Sequence, residues 1–205
     1  MEPQERDQAG ATALSASHEA EQGELLRLAR RTLYEATATG QITPYQTNNA
    51  WFLEPAAVFV TLRAAPTDDE PEGALRGCVG QIEADAPLFA AVQDAAVKAA
   101  TIDPRFYPVS AAEVDGLSIE VSVLSPMRPI KALDQIQVGR DGLLIIGERR
   151  RGLLLPEVAV AYGWDERQFV RYLCRKATLP DDAWPNHARL YAFTTESFTA
   201  GAEAP

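Results

Sequence analysis

The segment that most restricts this chain is 117–123, where Leu117, Ile119, Val121 and Val123 alternate with Ser118, Glu120 and Ser122. A period of two places the aliphatic set on one face of an extended strand and the polar set on the other. The chain must therefore build a sheet with one packed face. A lone strand is not stable, and the sequence supplies neighbours. Residues 56–64 set Val58, Val60 and Leu62 against Phe59, Thr61 and Arg63, and 75–82 reads as a further strand after an acidic loop from Pro66 to Gly73. Short strands around 143–146 and 153–155 are joined by turns at Asp141-Gly142 and at 148–152, and a last strand covers 190–193.

Between these pieces the period changes to that of a helix. Ser17 is placed to cap a helix that carries Leu25, Leu26, Ala29 and Leu33 toward Gly40. Asp85 and Pro87 open a second, whose Leu88, Val92, Ala95, Ala96 and Ala99 share a face until Asp103-Pro104. Its alanines suit close packing on a sheet. Pro156 opens a short helix toward Gly163, and Asp165 caps another whose Phe169, Val170, Leu173, Cys174 and Ala177 form one apolar face. Such uneven interspersion favours an α+β fold, with a mixed, largely antiparallel sheet flanked by helices, over regular βαβ winding. Residues 1–16 read as a flexible tail, 17–199 as the folded part and 200–205 as a second tail.

Of the 205 residues, 46% are hydrophobic, enough for a real core, and the formal charge is -10. That field repels phosphate backbones and anionic lipid unless a local basic patch overrides it. The run Arg149-Arg150-Arg151 lacks interleaved aromatics and reads as a solvated turn, so no nucleic acid is expected. Cys78 and Cys174 are too few for a disulfide scaffold. With no signal-like start at 1–10 and no apolar run approaching the ~18 residues of a membrane span, the expected location is the cytoplasm, without membrane attachment. CxxC, HxxxH, HExxH, P-loop and GxGxxG spacings are all missing, so neither metal nor cofactor is predicted.

Six separated segments, in order, carry a family resemblance. They are Leu75-Arg-Gly-Cys-Val-Gly80, Asp103-Pro-Arg-Phe-Tyr-Pro-Val109, Ile119-Glu-Val-Ser-Val-Leu124, Val138-Gly-Arg-Asp-Gly-Leu143, Gly152-Leu-Leu-Leu-Pro-Glu-Val-Ala159, and Gly163-Trp-Asp165 through Lys176. Together they resemble the AMMECR-type domain, protein A of the AmmeMemoRadiSam system, over roughly 17–199. The resemblance implies a larger portion built from the N- and C-terminal segments and a smaller one from the middle. It also implies, in many prokaryotes, association with a Memo-like protein and a radical S-adenosylmethionine (SAM) protein. Two positions depart from the pattern: Asp141 stands where some members have His, and Thr178 stands where Gly is common.

Among residues open to chemistry, Cys78 lies between Gly77 and Gly80, which permit unusual backbone angles or close approach of a ligand or another chain. Arg76 shares its strand face, and a nearby cation favours the nucleophilic thiolate. The competing reading is a small buried Cys where nothing larger fits. Cys174, on an apolar helix face, reads as core. Asp103-Pro104-Arg105 is either a rigid junction, with Asp103 paired to Arg105 or capping amides, or a mount presenting the Arg105 fork to an anion. Arg76, Cys78 and Arg105 are candidates to line one anion-binding pocket. Glu120 is either a solvent-side residue or a site acid, Glu157 suits the positive end of its helix, and His187 is a candidate base for Cys78. His18 completes no metal set. Three functions fit: an accessory or substrate-binding component of a radical SAM-linked system, a stand-alone enzyme using Cys78, or an interaction module without catalysis.

Overall fold

The computed structural model describes residues 19–202, so the Ser17 cap, His18 and the expected N-terminal tail lie outside the described residues. The first half of the chain comprises α1 (Glu19–Ala38), α2 (Ala50–Leu53), β1 (Ala57–Arg63), β2 (Leu75–Gln81), α3 (Leu88–Thr101), a 3-10 turn (Ala111–Gly116) and β3 (Ser118–Leu124). There follow β4 (Arg128–Ile130), β5 (Gly142–Ile146), β6 (Arg151–Leu154), α4 (Pro156–Ala161), α5 (Glu166–Lys176), β7 (Arg189–Phe193) and β8 (Thr195–Ala200). The fold is α+β, with two four-stranded sheets where the sequence suggested one. The described residues divide into two compact units, one comprising the chain up to Ser122 together with the segment from Ser197, the other Val123–Glu196.

In the first unit the strand order is β2-β1-β3-β8. Val58, Val60, Leu62, Ile119 and Val121 are wholly buried, as their alternation requires. β1 and β2 run antiparallel, with Thr61 opposite Cys78 and Phe59 opposite Gly80. α3 packs on both strands and against α1. Its buried alanines, Ala91, Ala95, Ala96, Ala99 and Ala100, bring helix backbone close to strand backbone. Gly77 is the counterpart in β2: a Cβ there would stand 2.2 Å from the Ala99 carbonyl oxygen. In α1 the buried stripe is Leu25, Leu28, Ala29 and Leu33, with Leu26 only half-buried. Arg30 is buried beside it, and its guanidinium donates to the carbonyls of Val114, Leu117 and Gly201. α2 was not apparent from periodicity. It is a single turn, capped by the Asn49 side chain on the Trp51 and Phe52 amides, and it drives Phe52 into the core.

The second unit orders its strands β4-β7-β5-β6, every neighbouring pair antiparallel. Leu143, Ile145 and Leu190 meet Phe169, Leu173 and Cys174 of α5 in one core. The Asp165 side chain caps α5 by accepting the Gln168 amide at 2.7 Å, and Pro156 occupies the first turn of α4. Arg128-Pro129 does more than break β3: it forms the edge strand β4, where a missing N–H is tolerated. The polar run of β8 carries no strand pattern in the sequence, because it also lies at a sheet edge and buries none of its residues fully. Asp141 is buried and accepts hydrogen bonds from Arg128, Arg140 and the Gln137 amide. Arg150 in the basic turn donates to the Thr178 carbonyl at 2.6 Å.

Two backbone positions constrain which side chain the fold accepts. Gly77→Ala forces backbone against backbone and is expected to destabilise the protein by more than about 2 kcal/mol, read as a lowered urea midpoint. Thr178, directly after the α5 cap, has a φ of 56°, in the left-handed region that a β-branched residue disfavours. Thr178→Gly is expected to raise stability by about 1 kcal/mol, seen as an increase in Tm.

Candidate functional site

β2 is an edge strand, so alternate residues direct their N–H and C=O away from β1. At Cys78 both outward groups are occupied by side chains. Its N–H donates to Asp103 Oδ2 at 2.9 Å, and its carbonyl accepts from Arg105 Nη2 at 3.2 Å. Asp103 and Arg105 thereby take the place of a missing neighbouring strand. They reach this position because α3 ends at Thr101, Pro104 fixes the next turn, and the Val109 amide bonds back to the Ala100 carbonyl. Segment 103–108 is thus a short loop closed on the last turn of the helix.

The Asp103 carboxylate is buried, with 3% of its side chain exposed against 53% for Arg105. Arg105 grips it through Nε at 2.9 Å and Nη2 at 2.6 Å, and the Arg105 amide adds a bond at 3.2 Å. The guanidinium, above all, holds the Asp103 carboxyl well below the usual carboxylate range, assisted by the Cys78 and Arg105 amides against the opposing effect of burial. Arg105 is raised in return, first by Asp103 and to a smaller extent by the nearby Cys78 side chain.

Arg76 secures the far end of the same loop. Its Nε donates to Glu113 Oε1 at 3.0 Å, Nη1 to the Tyr107 carbonyl at 2.7 Å, and Nη2 to the Pro108 carbonyl at 3.3 Å. Glu113 is itself oriented by the amide and hydroxyl of Ser110, at 2.8 and 2.9 Å. The Ser110 amide, followed by Arg76, holds the Glu113 carboxyl below its ordinary range against the opposing effect of burial. Arg76, Pro104, Arg105, Phe106 and Tyr107 line a surface depression of about 640 Å³. The Arg105 guanidinium lies 5.3 Å from the Phe106 ring centroid, and Tyr107 is 91% exposed at the rim.

The structure therefore brings Arg76 and Arg105 to one depression, while Cys78 contributes to its support through backbone. The Cys78 thiol is half-buried and accepts the Thr61 hydroxyl at 3.2 Å. Gly77 lies under α3, and a Cβ at Gly80 would fall 2.5 Å from the Phe59 ring, so both glycines admit close approach of this chain's own atoms. Neither has a positive φ. Glu120 projects from β3 with Ser122 Oγ at 3.5 Å and is not among the residues lining the depression. His187 belongs to the second unit, its amide bonded to Ala183. Cys174 is fully buried, and burial pushes its thiol up. Glu157 is exposed in the first turn of α4. Among the described residues no group of three or more His, Cys, Asp or Glu gathers to hold a metal ion, and no helix is long and apolar enough to cross a membrane.

Sequence reasoning overlooked Glu113, Phe106 and Tyr107. For Glu113 a signal existed, since Ser110 and Glu113 have capping-box spacing just before a helical turn. Nothing local distinguished Tyr107 as exposed, because that depends on how the loop is pinned.

The AMMECR1 family model matches residues 26–198. A protein of Thermococcus gammatolerans is 44% identical over 183 residues, covering 85% of this chain and 87% of that one. Protein MJ0810 of Methanocaldococcus jannaschii is 43% identical over 154 residues, 72% of this chain and 74% of its own length. The crystal structure of the uncharacterized protein PH0010 from Pyrococcus horikoshii superimposes with a TM-score of 0.80 at 41% identity, covering 90% of this chain and 95% of that one.

Because the folded-state pKa of Asp103 is depressed, its contribution is complete above the ordinary carboxylate pKa and is lost as pH falls through and below it. Asp103→Asn is expected to lower stability by about 2 kcal/mol at pH 7. Urea melts should find the gap from wild type narrowing once pH drops below about 4.

Proposed function

Since this chain belongs to the AMMECR1 family, we propose that it is a binding component of a radical SAM-linked modification system, holding a substrate or partner at the depression beside β2. The observation carrying this reading is the pinned loop: Arg76 and Arg105 fix its two ends, and Tyr107 is left exposed between them. A rigid backbone bearing an exposed aromatic loses little entropy on binding, which is how recognition surfaces gain affinity. The Memo-like and radical SAM proteins implied by the family resemblance are the partners in this reading, and the cytoplasm is its location.

Thiol chemistry fits the surroundings of Cys78 less well. Within its unit the sulfur accepts from the Thr61 hydroxyl, and the Arg105 guanidinium lies close enough to be raised by it. Neither is a general base, so activation of the thiol would rest on the Arg105 charge alone, and that charge is already matched by Asp103.

Anaerobic co-purification with the Memo-like and radical SAM proteins tests the proposal. Tyr107→Ala removes an exposed ring without touching the core, and retention of the partners is expected to fall about tenfold or more. Cys78→Ala is expected to leave retention unchanged. Normal retention by Tyr107→Ala, or reconstituted activity lost in Cys78→Ala with the complex intact, would reject the proposal.

A further inference from the structure

The charge arrangement around the depression selects among anions. Each guanidinium already faces a carboxylate, Arg105 with Asp103 at 2.6 Å and Arg76 with Glu113 at 3.0 Å. The two pairs are oriented differently. In the first the carboxylate is buried and the cation reaches solvent, whereas in the second the Glu113 side chain is 41% exposed and that of Arg76 only 20%. A ligand thus meets one outward positive end and, nearby, an accessible negative charge. A polyphosphate finds no uncompensated pair of cations there, and Glu113 repels it.

Donors nevertheless remain. A guanidinium has five N–H bonds, and Arg105 meets its oxygen acceptors through Nε and Nη2, leaving Nη1 with no oxygen acceptor among the described residues. Arg76 places a single acceptor on each nitrogen, so Nη1 and Nη2 each keep one further N–H. Beside them stand Phe106 and the exposed Tyr107.

We infer that the depression takes a ligand with one carboxylate beside a flat apolar group, the carboxylate on the unused N–H bonds of Arg105 and Arg76 and the flat group against Phe106 and Tyr107. This assignment rests on the binding reading above and gives it a ligand class. Two sources share the chemistry: a free aromatic acid, and the C-terminal carboxylate of a peptide ending in an aromatic residue. In the peptide case, backbone carbonyls also have donors to meet on Arg76.

Amide-resolved NMR titration of the full chain separates the alternatives, with phenylacetate, Ala-Ala-Phe, its C-terminal amide and tripolyphosphate as probes. Ala-Ala-Phe is expected to bind at least about tenfold tighter than its amide and than tripolyphosphate. Shifts should centre on 76 and 104–107. Binding by phenylacetate equal to that of Ala-Ala-Phe assigns the free acid, and tighter binding by Ala-Ala-Phe assigns the peptide end. Arg105→Lys keeps a cation for Asp103 but removes the planar fork, and is expected to weaken binding about tenfold and to lower the Tm, whereas Tyr107→Ala is expected to weaken binding with an unchanged Tm. If Arg105→Lys fails to fold, Tyr107→Ala with the same probes takes its place, again with weaker binding expected. Equal binding of acid and amide, preference for tripolyphosphate, or no carboxylate binding in the millimolar range overturns the inference. Should that occur while Tyr107→Ala still releases the protein partners, the docking reading survives without this ligand class. Carboxylate binding with partner retention unaffected by Tyr107→Ala gives the reverse outcome.

Discussion

The Asp103 carboxylate is the contact on which the candidate site depends. It joins three separate constraints: the end of α3, the exposed edge of β2 at Cys78, and the guanidinium of Arg105. A carboxylate removed from water is stable as an anion only when its oxygens are well supplied with donors. Here four hydrogen bonds from Cys78 and Arg105 do so. The same arrangement closes part of an edge that would otherwise offer unpaired backbone to another strand. Stability of the loop and protection of the sheet are therefore one interaction.

Buried charged side chains bonded to several partners recur elsewhere in the molecule. In the first unit buried Arg30 binds the carbonyls of Val114, Leu117 and Gly201, gathering the turn before β3 and the segment after β8. In the second, buried Asp141 collects Arg128, Arg140 and the Gln137 amide at the entrance to β5. Each is a buried charged group that gathers several partners at once, three backbone carbonyls for Arg30, and two guanidiniums and one amide for Asp141. Arginine suits this because its planar fork addresses acceptors on different segments.

This pattern also governs how the arginines near β2 are interpreted. Cationic residues beside a glycine-flanked cysteine suggest an anion pocket when only sequence is considered. In the folded protein most of their donor capacity is engaged in holding segment 103–108, and their charge is matched by Asp103 and Glu113. What remains for a ligand is directional N–H bonding beside an aromatic rim. That favours recognition over nucleophilic chemistry.

The sequence by itself determined the elements whose side chains repeat with a fixed period. The alternation at 117–121, which breaks where Ser122 is buried and Val123 only half-buried, the alanine face of α3 and the Asp165 cap of α5 all describe local geometry, and periodicity reports local geometry directly. The pairing of Asp103 with Arg105 was within reach for the same reason, since the residues are two apart. Division into two sheets, the edge strands β4 and β8, and the single turn around Phe52 had no such signature. Edge strands bury little, and one turn is too short to repeat. Tertiary structure alone decided that Arg76 would meet Glu113 across 37 positions and that Tyr107 would be left outside. Such contacts depend on which strand forms the sheet edge and where the helix ends against it, a result of packing between distant segments that no local spacing encodes.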